Sequence, residues 1–170
     1  MTGPYVIEPL GSSHDRRSFT CGVAALDRYF REQVTQDIRR RVTNCFVAVD
    51  AAGVIAGYYT FAAASLPVAE LTADEIKRLP RYPLLPAALI GRLAVSEQYR
   101  RQGLGAAFIV DAITRTMRAE PAIFALIVDA KDEAAVQFYS HLGFRAFARR
   151  PMSLFLHVAE AQRRLARVSQ

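Results

Sequence analysis

Two cysteines and three histidines are all that this 170-residue chain carries of the residues that most often bind metals or cross-link chains. Cys21 and Cys45 stand in no metal-ligand spacing, and His14, His141 and His157 are scattered, so neither a metal nor a disulfide is expected. Although 52% of the residues are hydrophobic, no apolar run approaches the ~18 residues of a membrane span. The opening Met1-Thr-Gly-Pro4 has no basic region followed by an apolar one, which excludes a secretion signal there and points to a cytoplasmic protein that needs no membrane. Internal repeats, linkers and low-complexity segments are also missing, and the length suits one domain, 1–170, with a proper core. Lysine is nearly absent: Lys77 and Lys131 are the only two among 22 basic residues, the rest being arginine. The net charge of +6 and pI near 9.7 favour a polyanionic partner, and arginine is the better bidentate phosphate ligand. Codon usage in a GC-rich genome accounts for an arginine and alanine excess equally well.

The patterning alternates strands and helices. Tyr5–Pro9 reads as a first strand closed by Pro9 and Gly11. From Val23 to Ile38 apolar residues recur at helical spacing, giving one helix or two with a kink, with Thr20 or Ser18 as cap. Arg28, Arg31 and the run Arg39-Arg40-Arg41 lie along it, as a solvated face or as a groove wall for RNA phosphates. Asn44–Asp50 and Val54–Phe61, separated by Ala51-Ala52-Gly53, form a hairpin. A helical piece around Ala73–Leu79 precedes a proline-stiffened connector that projects Arg81 and Tyr82. Ile123–Val128 suits a strand buried on both faces. Asp132–Leu142 suits a helix with Gly143 just past its end, Met152–Val158 a last strand, and Ala159–Val168 a terminal helix. The fold class is mixed α/β.

The chain is organised around Ala87–Val95, Ser96–Gly105 and Ala106–Ile113, which read as strand, glycine loop and helix. Such a loop aims backbone N–H groups at an anion from a helix N-terminus. It is no Walker loop, because Gly105 is followed by Ala106-Ala107 where Lys-Ser/Thr is required. It is no dinucleotide fingerprint either, because Phe108 stands where a third small residue belongs. What remains is Arg100-x-x-Gly103-x-Gly105, which resembles the pyrophosphate loop of the GCN5-related N-acetyltransferases (GNAT). A second motif follows in order: Asp132-x-x-Ala135-x-x-Phe138-Tyr139 and Gly143-Phe144 match that family's helix, with Asp132 in place of the usual asparagine. Within the family, Phe19-Thr-Cys21-Gly22, Leu26-Asp27-Arg-Tyr29, Gln36-Asp37, Arg81-Tyr-Pro83, Gly91-Arg-Leu-Ala-Val95 and Val128–Asp132 resemble the acetyltransferase toxins of type II toxin–antitoxin modules, a likeness covering roughly residues 5 to 158.

The resemblance implies a mostly antiparallel sheet of about six to seven strands, flanked by helices and splayed at the central strand to hold acetyl-CoA. It implies acetylation of the α-amine of aminoacyl-tRNA, which blocks translation. Its expected partners are charged tRNA, a ribbon-helix-helix antitoxin, operator DNA through that antitoxin only, and a second copy of the chain. Leu93, Ala94 and Val95 would pair with the pantetheine arm, and Asp132 and Phe138 would lie on its side. Backbone amides of Arg101, Gln102, Gly103, Leu104, Gly105 and Ala106 would hold the pyrophosphate, with Arg100 or Arg101 adding charge near the 3′-phosphate. Tyr139 is the candidate general acid, since a phenol near pKa 10 stays protonated at neutral pH while a thiol near about 8.5 must leave. Packing against Phe138 is its other role.

The central strand from Ala88 to Val95 carries no carboxylate, so no strong base is evident. An α-amine titrating near about 8 needs one less than a lysine near about 10.4. Glu97 serves through water or is only a loop acid. Arg92 reaches the acceptor side or is a surface arginine, and Arg39, Arg40 and Arg81 are the further substrate candidates. An acetyltransferase for protein N-termini or small amines is the alternative, followed by a non-catalytic acyl-CoA or RNA-binding module.

Overall fold

The computed structural model describes residues 4–169. Its strands are β1 (Val6–Pro9), β2 (Asn44–Val49), β3 (Ile55–Pro67), β4 (Leu84–Val95), β5 (Ala125–Asp129), β6 (Arg145–Ala146) and β7 (Ser153–His157). Its helices are α1 (Ala24–Arg28), α2 (Val34–Arg39), α3 (Ala73–Lys77), α4 (Leu104–Arg118), α5 (Glu133–His141) and α6 (Val158–Val168). The strands hydrogen-bond in the order β1-β2-β3-β4-β5-β7-β6, a mostly antiparallel sheet of the class expected. The parallel register between β4 and β5 runs from Ala87↔Ala125 to Ile90↔Val128, and β4 continues to Val95.

Two compact units divide the chain. The first comprises residues up to Ala62 together with Gly91–Asp111. In it the antiparallel β1–β2–β3 ladder is turned at Asp50, whose Oδ1 accepts the N–H groups of Ala52 and Val54 at 2.9 Å each, with Gly53 at φ +81°. Phe19, Phe30 and Tyr58 fill its core, the last two stacked at 4.2 Å. Gly57 is required by packing: a Cβ there would lie 2.7 Å from the Ala94 carbonyl and 2.9 Å from the Phe108 ring. The region between Val23 and Ile38 takes the second of the two expected forms, two helices joined by an irregular turn. A π-helical turn, Tyr29–Gln33, joins α1 to α2, the kind of insertion that bends a helix. The expected Thr20 or Ser18 cap is absent. Val23 holds the N-cap position without a side-chain bond, and Asp27 instead turns back to the loop before the helix.

The second unit comprises Ala63–Ile90 and residues from Ala112 onward. Leu66, Leu85, Ile127, Phe147 and Phe155 pack its core. Here β4 begins at Leu84, earlier than the apolar pattern suggested, because Pro86 needs no N–H to offer its carbonyl to Phe124 at 2.8 Å. β5 starts at Ala125 rather than Ile123. The short β6 has no alternating pattern and escaped the reading; its backbone is recruited by pairing with Leu154 and Phe155. α3 is fixed by a capping box between Thr72 and Glu75, and Gly143 takes φ +100° past the end of α5, as a helix-ending glycine should.

Candidate active site

The first unit builds the glycine loop. Positive φ at Arg101 (61°) and Gly103 (76°), with Gln102 between them, turns the backbone alternately, the geometry that sets amides facing one anion. α4 starts at Leu104, so the N–H groups of Leu104, Gly105 and Ala106 fall among the first four that a helix leaves without intrahelical partners. A Cβ on Gly103 would meet nothing within 4 Å, so it is the positive φ and not crowding that calls for glycine there. The loop therefore fits a pyrophosphate by backbone geometry alone. Tyr99 donates to Asp50 at 2.7 Å, which raises its pKa, and its ring meets Tyr5 edge-on at 5.8 Å. The Tyr5 hydroxyl in turn donates to Gln102. Sequence reasoning missed these braces: Tyr99, two positions before Arg101, was an available signal, whereas Tyr5 lies 97 positions from Gln102 and gave none.

The Arg100 guanidinium donates to the Cys21 carbonyl and lies 3.9 Å from Glu97 while its side chain stays 56% exposed, and Arg101 is exposed as well. The Glu97 side chain is half exposed, its Oε1 3.9 Å from the Arg100 guanidinium. On β4, Leu93 and Val95 are half-buried and Ala94 is buried. Arg92 lies flat on Tyr29, 3.5 Å from the ring centroid, and its backbone N–H donates to Thr60 Oγ1 at 2.9 Å. Among the described residues the Arg92 guanidinium meets no carboxylate within 4.0 Å. Tyr29 donates to Asp37 at 2.9 Å, and burial together with that bond pushes its pKa up, keeping the phenol neutral beneath the guanidinium. Arg39 and Arg40 end α2 fully exposed.

The second unit holds the other motif. Asp132 is the N-cap of α5, its Oδ1 accepting the Ala135 N–H at 2.8 Å, which gives the departure from asparagine a local structural use. Phe138 is partly exposed and packs edge-on against Tyr139 at 5.2 Å. Tyr139 is 6% exposed and also touches Phe144. Its hydroxyl makes no hydrogen bond to any described residue, and no fully buried side-chain polar atom lacks a partner, so the oxygen reaches accessible space while the ring does not. Burial, with the Asp129 carboxylate adding to it, pushes the phenol up to about 12. The side chain is thus a protonated donor with no protein acceptor. Arg81 is exposed on the connector before β4. Among the described residues no His, Cys, Asp or Glu group could hold a metal ion, and Cys21 and Cys45 are free thiols.

The profile of the acetyltransferase (GNAT) domain matches residues 20–153. The chain belongs to the GNAT acetyltransferases. Among GNAT proteins it is 29% identical over 164 residues to the tRNA-acetylating toxin of Mycobacterium tuberculosis (strain ATCC 25618 / H37Rv), covering 95% of this chain and 97% of that one. The toxin AtaT complexed with acetyl-methionyl-tRNAfMet superposes with a TM-score of 0.86 at 25% identity, over 95% of this chain and 99% of that one. A mutant AtaT toxin bound to the C-terminus of the antitoxin AtaR and acetyl-CoA shares the GNAT fold, with a TM-score of 0.78 at 21% identity and coverage of 96% and 99%.

Proposed function

We propose that this chain is an acetyl-CoA-dependent N-acetyltransferase toxin that acetylates the α-amine of aminoacyl-tRNA and so blocks translation. The observation that carries the choice of substrate is the near full-length similarity to a tRNA-acetylating toxin. A β4 without carboxylates supports it, because an amine titrating near about 8 arrives largely neutral and needs no strong base.

The amine nitrogen attacks the thioester carbonyl carbon, a C–N bond forms, and the C–S bond breaks. Amides of residues 101–106 hold the pyrophosphate, with Arg100 or Arg101, both exposed, adding charge near the 3′-phosphate. The ends of β4 at Leu93–Val95, with Asp132 and Phe138, serve the pantetheine arm. Tyr139 gives its proton to the departing sulfur, and the proton shed by the acylated nitrogen passes to solvent, from which the phenolate is reprotonated. The desolvation that raises the phenol also raises a thiol leaving beside it, so the gap between donor and leaving group is not set by the phenol's shift alone. Arg92, held over the Tyr29 ring, serves the acceptor, while Arg39, Arg40 and Arg81 contact tRNA phosphates.

The whole of 1–170 acts as one catalytic domain in the cytoplasm; among the described residues no helix is long and apolar enough to cross a membrane. A ribbon-helix-helix antitoxin neutralises it and brings operator DNA, and the chain works as a homodimer. An antitoxin partner is supported by AtaT having been solved with AtaR. Expression in bacteria is expected to stop growth, and Tyr139→Phe to relieve the arrest with folding intact. Full toxicity of that variant would remove Tyr139 from its role.

A further inference from the structure

Phe19-Thr-Cys21-Gly22 and Leu26-Asp27 belong to the sequence pattern shared with the toxins, yet the chemistry above gives them no part. Asp27, beside Arg28 on the short α1, is a carboxylate only 6% exposed. Its Oδ1 accepts the Cys21 N–H at 2.8 Å, and its Oδ2 accepts the Thr20 hydroxyl at 3.0 Å. Burial opposes its ionisation most strongly, but the bonds from Cys21 and Thr20 together with the Arg31 guanidinium 3.9 Å away hold the carboxyl below its usual range. One helical turn later, Arg31 reaches the same loop: its Nε and Nη2 donate to the Phe19 carbonyl at 3.1 and 2.6 Å.

The loop so pinned meets the entrance of the glycine loop through its backbone. The Thr20 carbonyl accepts the Glu97 N–H at 3.0 Å, and the Cys21 carbonyl accepts from Arg100. Gly22, at φ +87°, lets these pieces close up; a Cβ there would lie 2.6 Å from Glu97 Oε1 and 2.9 Å from Arg100 Nη2. Residues 97–100 are those from which the turn Arg101–Gly103 starts, and an anion site made of amides is only as well formed as the backbone that aims them.

We infer that Asp27 is a positioning residue for acetyl-CoA: from α1 it fixes loop 19–22, and through that loop it fixes the start of the pyrophosphate loop. The inference rests on the acetyl-CoA reading of this protein. The Asp27→Asn side chain keeps the volume but has one acceptor oxygen for two donors.

The test is titration calorimetry of acetyl-CoA, and of its 3′-dephospho analogue, into the wild type, Asp27→Asn, Thr20→Val and Thr20→Ser, with melting followed in parallel. Asp27→Asn is expected to weaken both ligands by the same factor, about tenfold, since the analogue retains the pyrophosphate. Thr20→Val, on an exposed residue and therefore the milder change, should weaken both ligands less, and Thr20→Ser should restore the wild-type value. If the aspartate and valine variants bind both ligands as tightly as the wild type, or melt earlier without losing affinity, Asp27 is structural only and the inference falls. Weakening of acetyl-CoA but not of the dephospho analogue also overturns it, since the effect then runs through the 3′-phosphate. No heat from the wild type would overturn the acetyl-CoA reading itself.

Discussion

The glycine loop and Tyr139 reach functional geometry by opposite routes. The loop is made of backbone, and several polar ties hold it from outside: Tyr99 to Asp50, Tyr5 to Gln102, Arg100 to Cys21. Tyr139 is held by contact alone, between Phe138 and Phe144, with its hydroxyl unpartnered among the described residues. The difference follows from the chemistry asked of each. An anion site needs many fixed dipoles, each tolerant of side-chain change, whereas a proton donor needs one group that no protein acceptor engages before the reaction.

That contrast breaks most sharply at Tyr139. Replacing it by Phe removes one oxygen and leaves the ring contacts, so turnover should fall by about 10²- to 10⁴-fold while acetyl-CoA affinity stays unchanged; steady-state kinetics with calorimetry separates the two. The loop should give the reverse split. Gly103→Val meets no steric obstacle, but φ +76° is hostile to a β-branched residue, so affinity for acetyl-CoA should drop about tenfold. Gly103→Asn, which tolerates that conformation, should lose less. Equal losses for valine and asparagine would mean that backbone conformation is not what the glycine supplies.

A pH profile sharpens the same point. A general acid at Tyr139, as proposed, would act while protonated, and burial, which pushes the phenol up to about 12, would keep it so through the accessible range. The rate should therefore rise through about pH 8 as the α-amine loses its proton and then stay level to about pH 10. A falling limb near pH 9 would show a donor less buried than Tyr139 is here. Smallest in its effect on activity is Gly57→Ala, which forces a Cβ against the Ala94 carbonyl and Phe108; it should cost about 1–3 kcal/mol of stability in denaturant unfolding.

The sequence made the loop and the Tyr139 helix legible because both depend on local residue type: glycine where φ is positive, an apolar stripe where a helix packs. The hairpin at Asp50–Val54 was legible for the same reason. β6 was not, since a two-residue strand takes its conformation from its partner rather than from its own pattern. Nor was the helix start at Ala24, where the residue expected to cap, Thr20, bonds a buried Asp27 instead. The orientation of Arg100 was hidden too, because a guanidinium chooses among acceptors that only tertiary contacts bring within reach.

The most direct measurement is the fate of labelled acetyl-CoA mixed with purified protein and total charged tRNA. The account predicts label on the α-amine of aminoacyl-tRNA, abolished by prior deacylation of the tRNA. Label on free small amines or protein N-termini, with charged tRNA untouched, would contradict it.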